Sequence, residues 1–312
     1  MGKKQSLLRS AINTFREERL VSLLEEARDQ VVQRERSLLL SVLKHRISGL
    51  TGNRLPLWPA GVTLERPVFV IGNPRSGTSL FVRCFGKHPT LAEWSEAGEV
   101  WDAEFYDAEQ DHKLTETDLT TRDRERVRNT FLTYTALSGK ERFVNKHPRN
   151  SLRIGFIREI FPDARFIHLV RHPIGAVDSM IRRSREAWRR DRPLGGFVRP
   201  PGWKDDVDED AITKFSRCWK RVNEHVLRER DENCTTVKYE AFCESPLSVL
   251  RTQQQTVGLE PALSRGDLPE NIENQNGKSV ENFSQAEHDR LWGITGEVAE
   301  RFGYVREPTW LR

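Results

Sequence analysis

The chain of 312 residues has no run approaching the roughly 18 consecutive apolar residues of a membrane span, so no integral membrane segment is expected. It has only four cysteines, Cys84, Cys218, Cys234 and Cys243, with no CxxC pair and no metal-ligand spacing. That argues against a disulfide frame and against a metal site, and fits reduced thiols inside a cell. The opening residues, "MGKKQSLLRSAINTFREERL", lack the apolar core and small-residue cleavage site of a signal peptide, which makes the cytoplasm the expected location. No repeat and no low-complexity tract appears. Neither sign of charge dominates: the net charge of +4 suits an anionic ligand but gives no reason to expect a nucleic-acid partner.

What is present is a soluble composition, 37% hydrophobic and 31% charged, on a chain long enough to bury a sizeable core. Two parts are expected, a helical N-terminal extension with its linker over 1–60 and one α/β domain over 61–312. In the first, Leu8, Ile12 and Phe15, then Leu20, Leu24, Ala27 and Val31, recur at helical spacing. Such amphipathic helices pack either on the core or on a second copy of the chain as a homodimer. Beyond the Gly- and Pro-rich "TGNRLPLWPAG", apolar strands alternate with helices: "RPVFVIG", "ERFVNK", "ARFIHLV" and "TTVKY" read as strands. Helices are expected from Gly77 to Phe85, near 151–161, over 174–188 and over 246–257. This pattern predicts a three-layer, P-loop-like α/β fold, with a central parallel sheet covered on both faces and ligands at the carboxyl ends of its strands. Two stretches break the alternation, 189–210 and 259–284. The first, rich in Gly, Pro and charge and flanked by Trp188 and Trp203, reads as a lid.

One further absence sits inside a motif. In "VFVIGNPRSGTSLF" (68–81), Gly72 and Gly77 have the spacing of the phosphate loop GxxxxGK[ST], yet Thr78 stands where its lysine belongs. Backbone N–H groups of such a turn converge on an anion, and the following helix adds its positive end. Thr78 and Ser79 add hydroxyls, and Arg75 adds a cation at a different point of the turn. A loop of this kind suits one phosphate- or sulfate-like group better than a metal-bound triphosphate.

"PRSGTSL" resembles the 5′-phosphosulfate loop of sulfotransferases that use 3′-phosphoadenosine 5′-phosphosulfate (PAPS). "FPDARFIHLVRHPIGAVDSMIRR" (161–183) resembles the 3′-phosphate motif of the same family, which would place Arg171 and Ser179 on that phosphate. "VNKHP" places Lys146 after the intervening strand, as in the tyrosylprotein branch and its bacterial relatives, and "VKYEAFCESPLSVLR" extends the likeness. The resemblance implies transfer of the sulfuryl group of PAPS to a hydroxyl of a small-molecule, lipid or glycan acceptor, with 3′,5′-ADP as product and no metal. Arg75, Ser76, Gly77, Thr78 and Ser79 would bind the phosphosulfate, and Arg75 and Lys146 would stabilise charge on the bridging oxygen.

An acceptor hydroxyl needs a proton acceptor. "HPTLAEWSEAGEVWD" (88–102) holds Glu93, Glu96 and Glu99; alignment on His88 and Pro89 makes Glu96 the family's base. Trp94 and Trp101 are expected to wall it and desolvate it. His147 is the rival, because cytosolic sulfotransferases use a histidine just after an equivalent lysine. Tyr239, expected to end its strand, matches a tyrosine lining the nucleotide site. Asn276, Gly277 and Lys278 fall where the family closes over the 3′-phosphate, with Lys278 the candidate cation, although the pattern there departs from the usual one. Two other readings compete: a P-loop kinase using ATP, which the absent lysine opposes, and an inactive nucleotide-binding module.

Overall fold

A computed structural model describes residues 64–102, 110–188 and 198–307. The N-terminal helices, the 1–60 extension and residues 189–197 of the expected lid lie outside the described residues, as does the side chain of Trp188.

Five strands build the sheet: β1 (Val68–Ile71), β2 (Leu91–Ser95), β3 (Arg142–Lys146), β4 (Arg165–Val170) and β5 (Cys234–Lys238). All pair in parallel, in the order β2-β3-β1-β4-β5. Between and after them run α1 (Thr78–Phe85), α2 (Gly98–Trp101), α3 (Thr121–Leu137), α4 (Ile154–Ile160), α5 (Pro173–Trp188), α6 (Ala211–Glu229), α7 (Tyr239–Glu244), α8 (Pro246–Thr256), α9 (Gly277–Val280) and α10 (Gln285–Arg301). Every residue of β1 and β3 is buried, the polar Arg142, Asn145 and Lys146 of β3 included, as expected of strands covered on both faces.

Alternation along the strands sorts the core into two layers. Val68, Val70, Val144, Ile167 and Leu169 join Phe81, Phe85, Phe242 and Leu250 in one. In the other, Phe69 stacks on its register partner Phe166 at 5.6 Å and meets Phe143 edge-on at 5.5 Å, while Phe131 stacks on Phe143 at 4.3 Å. A third cluster, with Ile174, Val177, Met180, Trp219, Leu291 and Val298, joins α5, α6 and α10 beside β4.

Four expectations need correction. Residues 91–95 form an edge strand not foreseen, because its inner residues alternate with the half-buried Glu93 and Ser95 and no continuous apolar run marks it. The helix expected near 151–161 is split: a tight turn over Pro148–Leu152 and α4 meet at Arg153, whose backbone leaves helical geometry. Tyr239 opens α7 instead of closing β5. Residues 198–210, expected to be irregular, hold a short regular turn over Trp203–Asp206: Val198 is buried, and the turn buries Asp206 against Arg217 (2.8 Å) and Arg221.

Four buried histidines resist protonation. Burial is the main cause in each case; it lowers His168, His172 and His225 to about 4 and His112 to about 2. Unfolded, each titrates near ~6.5. The unfolded chain therefore takes up protons that the folded chain refuses once the pH drops below that value. Stability should be full above pH ~6.5 and fall as the pH goes from ~6.5 to 4. Urea unfolding across that window should show a steadily falling midpoint; a midpoint that stays level down to pH 4 contradicts this reading of the core.

Candidate functional site

The carboxyl ends of β3, β1 and β4 lie side by side, since Lys146 is the register partner of Val70, and His168 that of Ile71. The loop over 72–77 leaves the middle strand. Gly72 has φ +149°, and a Cβ there would lie 2.2 Å from the carbonyl oxygen of Leu169. Gly77 has φ +88°, and a Cβ would lie 2.6 Å from the Tyr239 ring. Both positions demand glycine on conformation and on space. The loop is anchored from behind: Gly72 N–H donates to Ser151 Oγ (2.8 Å), Ser151 Oγ donates to Gly72 O (3.0 Å), and Asn73 Nδ2 donates to Trp219 O (3.1 Å). Helix α1 then starts at Thr78: the N–H groups of Leu80 and Phe81 close on Gly77 O (3.1 and 3.0 Å), and with no side-chain cap from Gly77 the N–H groups of Thr78 and Ser79 are left at the loop. Ser76 Oγ and Asn73 Oδ1 are buried without hydrogen-bond partners. Thr78 is buried and Ser79 is exposed. The arrangement is a cradle of donors around a helix end, suited to an anion.

Arg75 adopts φ +70°, and its Nε donates to Ser179 Oγ at 3.0 Å, across to α5. Arg171, just past β4, is buried. Its Nη1 donates to Arg75 O (3.0 Å) and its Nε to Asn276 Oδ1 (2.7 Å). Its guanidinium carbon lies 4.6 Å from the centre of the Tyr239 ring, in cation–π contact. Its Nη2 is buried with no hydrogen-bond partner. Thus Arg75, Arg171, Ser179 and Tyr239, scattered over 165 residues of sequence, come together at the loop. Lys278 does not join them: its side chain is 74% exposed and its Nζ meets Gln275 (3.0 Å) and Glu273 (3.9 Å). The residue that reaches Arg171 from that segment is Asn276.

A second group forms at the end of β3. Lys146 is buried, and its Nζ pairs with the carboxylate of Glu96, whose side chain is 56% exposed. Glu96 sits in the left-handed region (φ +54°), held by its N–H on Lys146 O (2.7 Å) and by its carbonyl, which accepts from Gly98 N (2.6 Å). Trp94 and Trp101 do not wall it. They are fully buried in the aromatic layer, and Trp101 Nε1 donates to Asn145 Oδ1 at 3.0 Å. Alternation along β2 explains this: Trp94 points inward while the chain turns outward at Glu96. His147 is buried; its Nε2 lies 3.4 Å from Asp102 Oδ2, and its Nδ1 has no hydrogen-bond partner.

Asp102 also accepts from Arg149 (2.5 Å) and from the fully buried Arg153 (3.1 Å). Burial would raise its pKa. The hydrogen bond and charge of His147, then the Arg153 and Arg149 guanidiniums, outweigh that and hold its carboxyl well below the usual carboxylate range. Asp102, Arg153 and Glu240, which lies beneath Asn276, escaped the sequence reading because only tertiary contact brings them to the site. Among the described residues, no helix is long and apolar enough to cross a membrane.

The chain belongs to the sulfotransferase family, whose profile matches residues 67–261. It is similar to the omega-hydroxy-beta-dihydromenaquinone-9 sulfotransferases Stf3 of Mycobacterium bovis and Mycobacterium tuberculosis, at 28% identity over 178 residues with each. The matched stretch covers 54% of this chain and 43% of each relative. Among solved structures, sulfotransferase STF9 from Mycobacterium avium is 15% identical, with 78% of each chain covered and a TM-score of 0.47. Mouse sulfotransferase SULT7A1, solved with PAP, is 12% identical, with 82% of this chain and 90% of that chain covered and a TM-score of 0.46.

Proposed function

We propose that this chain transfers the sulfuryl group of PAPS to an acceptor hydroxyl and releases 3′,5′-ADP. One observation carries the reading: the site holds two separate sets of waiting donors. Ser76 and the start of α1 form one; Arg171, with its unpartnered Nη2, and Ser179 form the other. PAPS has two anionic groups to match, a phosphosulfate on the 5′ side and a phosphate on the 3′ position. ATP has no charge at the second.

In this reading the loop over 72–77 binds the phosphosulfate, with Ser76, Gly77, Thr78 and Ser79 donating to it. Arg171 and Ser179 take the 3′-phosphate, and Tyr239 lines the nucleotide. The acceptor oxygen attacks sulfur in line as the bond from sulfur to the bridging oxygen breaks. Arg75 and Lys146 stabilise the negative charge that builds on the bridging oxygen. Glu96 takes the acceptor's proton. It suits that role better than His147, because its carboxylate opens to solvent while His147 is enclosed beside Asp102. The relatives named for an omega-hydroxylated dihydromenaquinone make a lipid hydroxyl the first acceptor class to test. The four free thiols fit a reducing compartment, in line with a cytoplasmic reaction.

The co-substrate test is direct. Incubated with a lipid and metabolite extract in EDTA, the protein should move radiolabel from sulfur-labelled PAPS into a product identified by mass spectrometry, and should move none from ATP. Transfer from ATP that depends on added Mg²⁺ would establish a kinase instead.

For the base, Glu96→Gln should lower kcat by on the order of 10²–10⁴-fold and leave 3′,5′-ADP affinity nearly unchanged. His147→Ala is the paired control. Loss of turnover in His147→Ala alone, with Glu96→Gln near full activity, would move the base to His147.

A further inference from the structure

We propose that Asn276 is a positioning residue for nucleotide selectivity, holding Arg171 by one edge and keeping Glu240 one hydrogen bond away, so that the opposite edge of Arg171 is left for a phosphate. The proposal rests on the PAPS reading of the site. It concerns a residue outside the stretch 67–261 that the family profile matches.

Asn276 is completely buried, 105 positions from Arg171 in sequence. Its Oδ1 accepts from Arg171 Nε at 2.7 Å, and its Nδ2 donates to Glu240 Oε1 at 2.5 Å. The orientation of the amide is determined by its neighbours, since a guanidinium only donates and an ionised carboxylate only accepts. Glu240 is itself fastened: Oε1 accepts from His172 N (3.0 Å) and Oε2 from the Tyr304 hydroxyl (2.7 Å). The amide is also closely confined. A Cβ on Gly175 would lie 1.9 Å from Asn276 Oδ1 and 2.7 Å from Arg171 Nε.

The chemistry of the chain Glu240–Asn276–Arg171 explains why an amide stands in the middle. A carboxylate in direct contact with Arg171 would engage its donors in pairs and cancel its charge locally. The amide passes on orientation without charge. Arg171 is then held at Nε by Asn276, at Nη1 by the Arg75 carbonyl and on its face by Tyr239. Every one of these partners is neutral. A buried cation with neutral partners and an open donor is costly until an anion arrives. Nη2, buried and unpartnered, is the donor left for it. An aspartate at 276 would face Glu240 with like charge and would meet the incoming phosphate with a second negative charge.

Calorimetric titration of 3′,5′-ADP and 5′-AMP into the wild-type protein, Asn276→Asp and Asn276→Ala tests this, with thermal unfolding of each. The wild type should prefer 3′,5′-ADP. Asn276→Asp should lose about tenfold or more in 3′,5′-ADP affinity, the scale of one charge-assisted hydrogen bond, with 5′-AMP affinity within about twofold. Asn276→Ala should show the same selective loss at smaller size, and it carries the test should the aspartate variant fail to fold. A wild type that binds both nucleotides equally would overturn the PAPS reading and this proposal with it. A wild type that discriminates, beside variants that discriminate as well as it does, would overturn the role of Asn276 alone. Equal weakening of both nucleotides together with a lowered Tm would make Asn276 a structural residue and also overturn it.

Discussion

The hydrogen bond from Arg171 Nη1 to the carbonyl of Arg75 ties the end of β4 to the loop that follows β1. Much of the site depends on it. The loop carries the left-handed Arg75, whose side chain turns to Ser179 on α5, so the bond links three elements at one point. Tyr239 closes the same point from the first position of α7, with its ring against Gly77 on one side and the Arg171 guanidinium on the other. A buried guanidinium with no direct carboxylate is an expensive arrangement to keep in a folded protein. Its retention is understandable where the protein must hold charge in reserve for an anion. The ion pairs elsewhere are ordinary by comparison: Asp206 with Arg217 and Arg221, and Asp102 with Arg149 and Arg153, each set a carboxylate directly against guanidiniums.

The two halves of the site differ in how they meet solvent. In the nucleotide half buried groups predominate, Ser76, Thr78, Arg171, Ser179 and Tyr239, with Arg75 and Ser79 exposed at the loop. At the end of β3, Lys146 is buried but its partner Glu96 reaches out. A nucleotide needs many fixed contacts, and an acceptor needs a way in. The parallel sheet supplies both, because β3, β1 and β4 end at the same edge while the loops after them diverge.

The parallel sheet was legible in the sequence because β1 is an unbroken apolar run and β3 and β4 carry apolar centres, Phe143 and Val144 in one and Phe166, Ile167, Leu169 and Val170 in the other, a signal local to each strand. Arg75, Lys146, Arg171 and Ser179 were legible as candidates because each belongs to a local motif at a strand end: Lys146 is the last residue of β3, Arg171 follows β4 directly, Arg75 lies in the loop after β1, and Ser179 lies on the helix after Arg171. Edge strand β2 was not, since half of its residues face outward and its pattern is mixed. Trp94 and Trp101 were misplaced because proximity to Glu96 in sequence says nothing about which side of a strand a side chain takes. Lys278 attracted attention by its charge, yet the buried contact falls to the neutral Asn276, and no local pattern distinguishes the two. Asp102, Arg153 and Glu240 owe their positions entirely to tertiary packing.

The central claim is that the ends of β1 and β4 hold two different anionic groups of one nucleotide. A crystal structure with 3′,5′-ADP bound measures this most directly. The 3′-phosphate should lie on Arg171 Nη2 and Ser179, with the 5′-phosphate on the backbone of 76–79. A nucleotide seated with its 3′-phosphate away from Arg171, or with nothing on the loop, would contradict it.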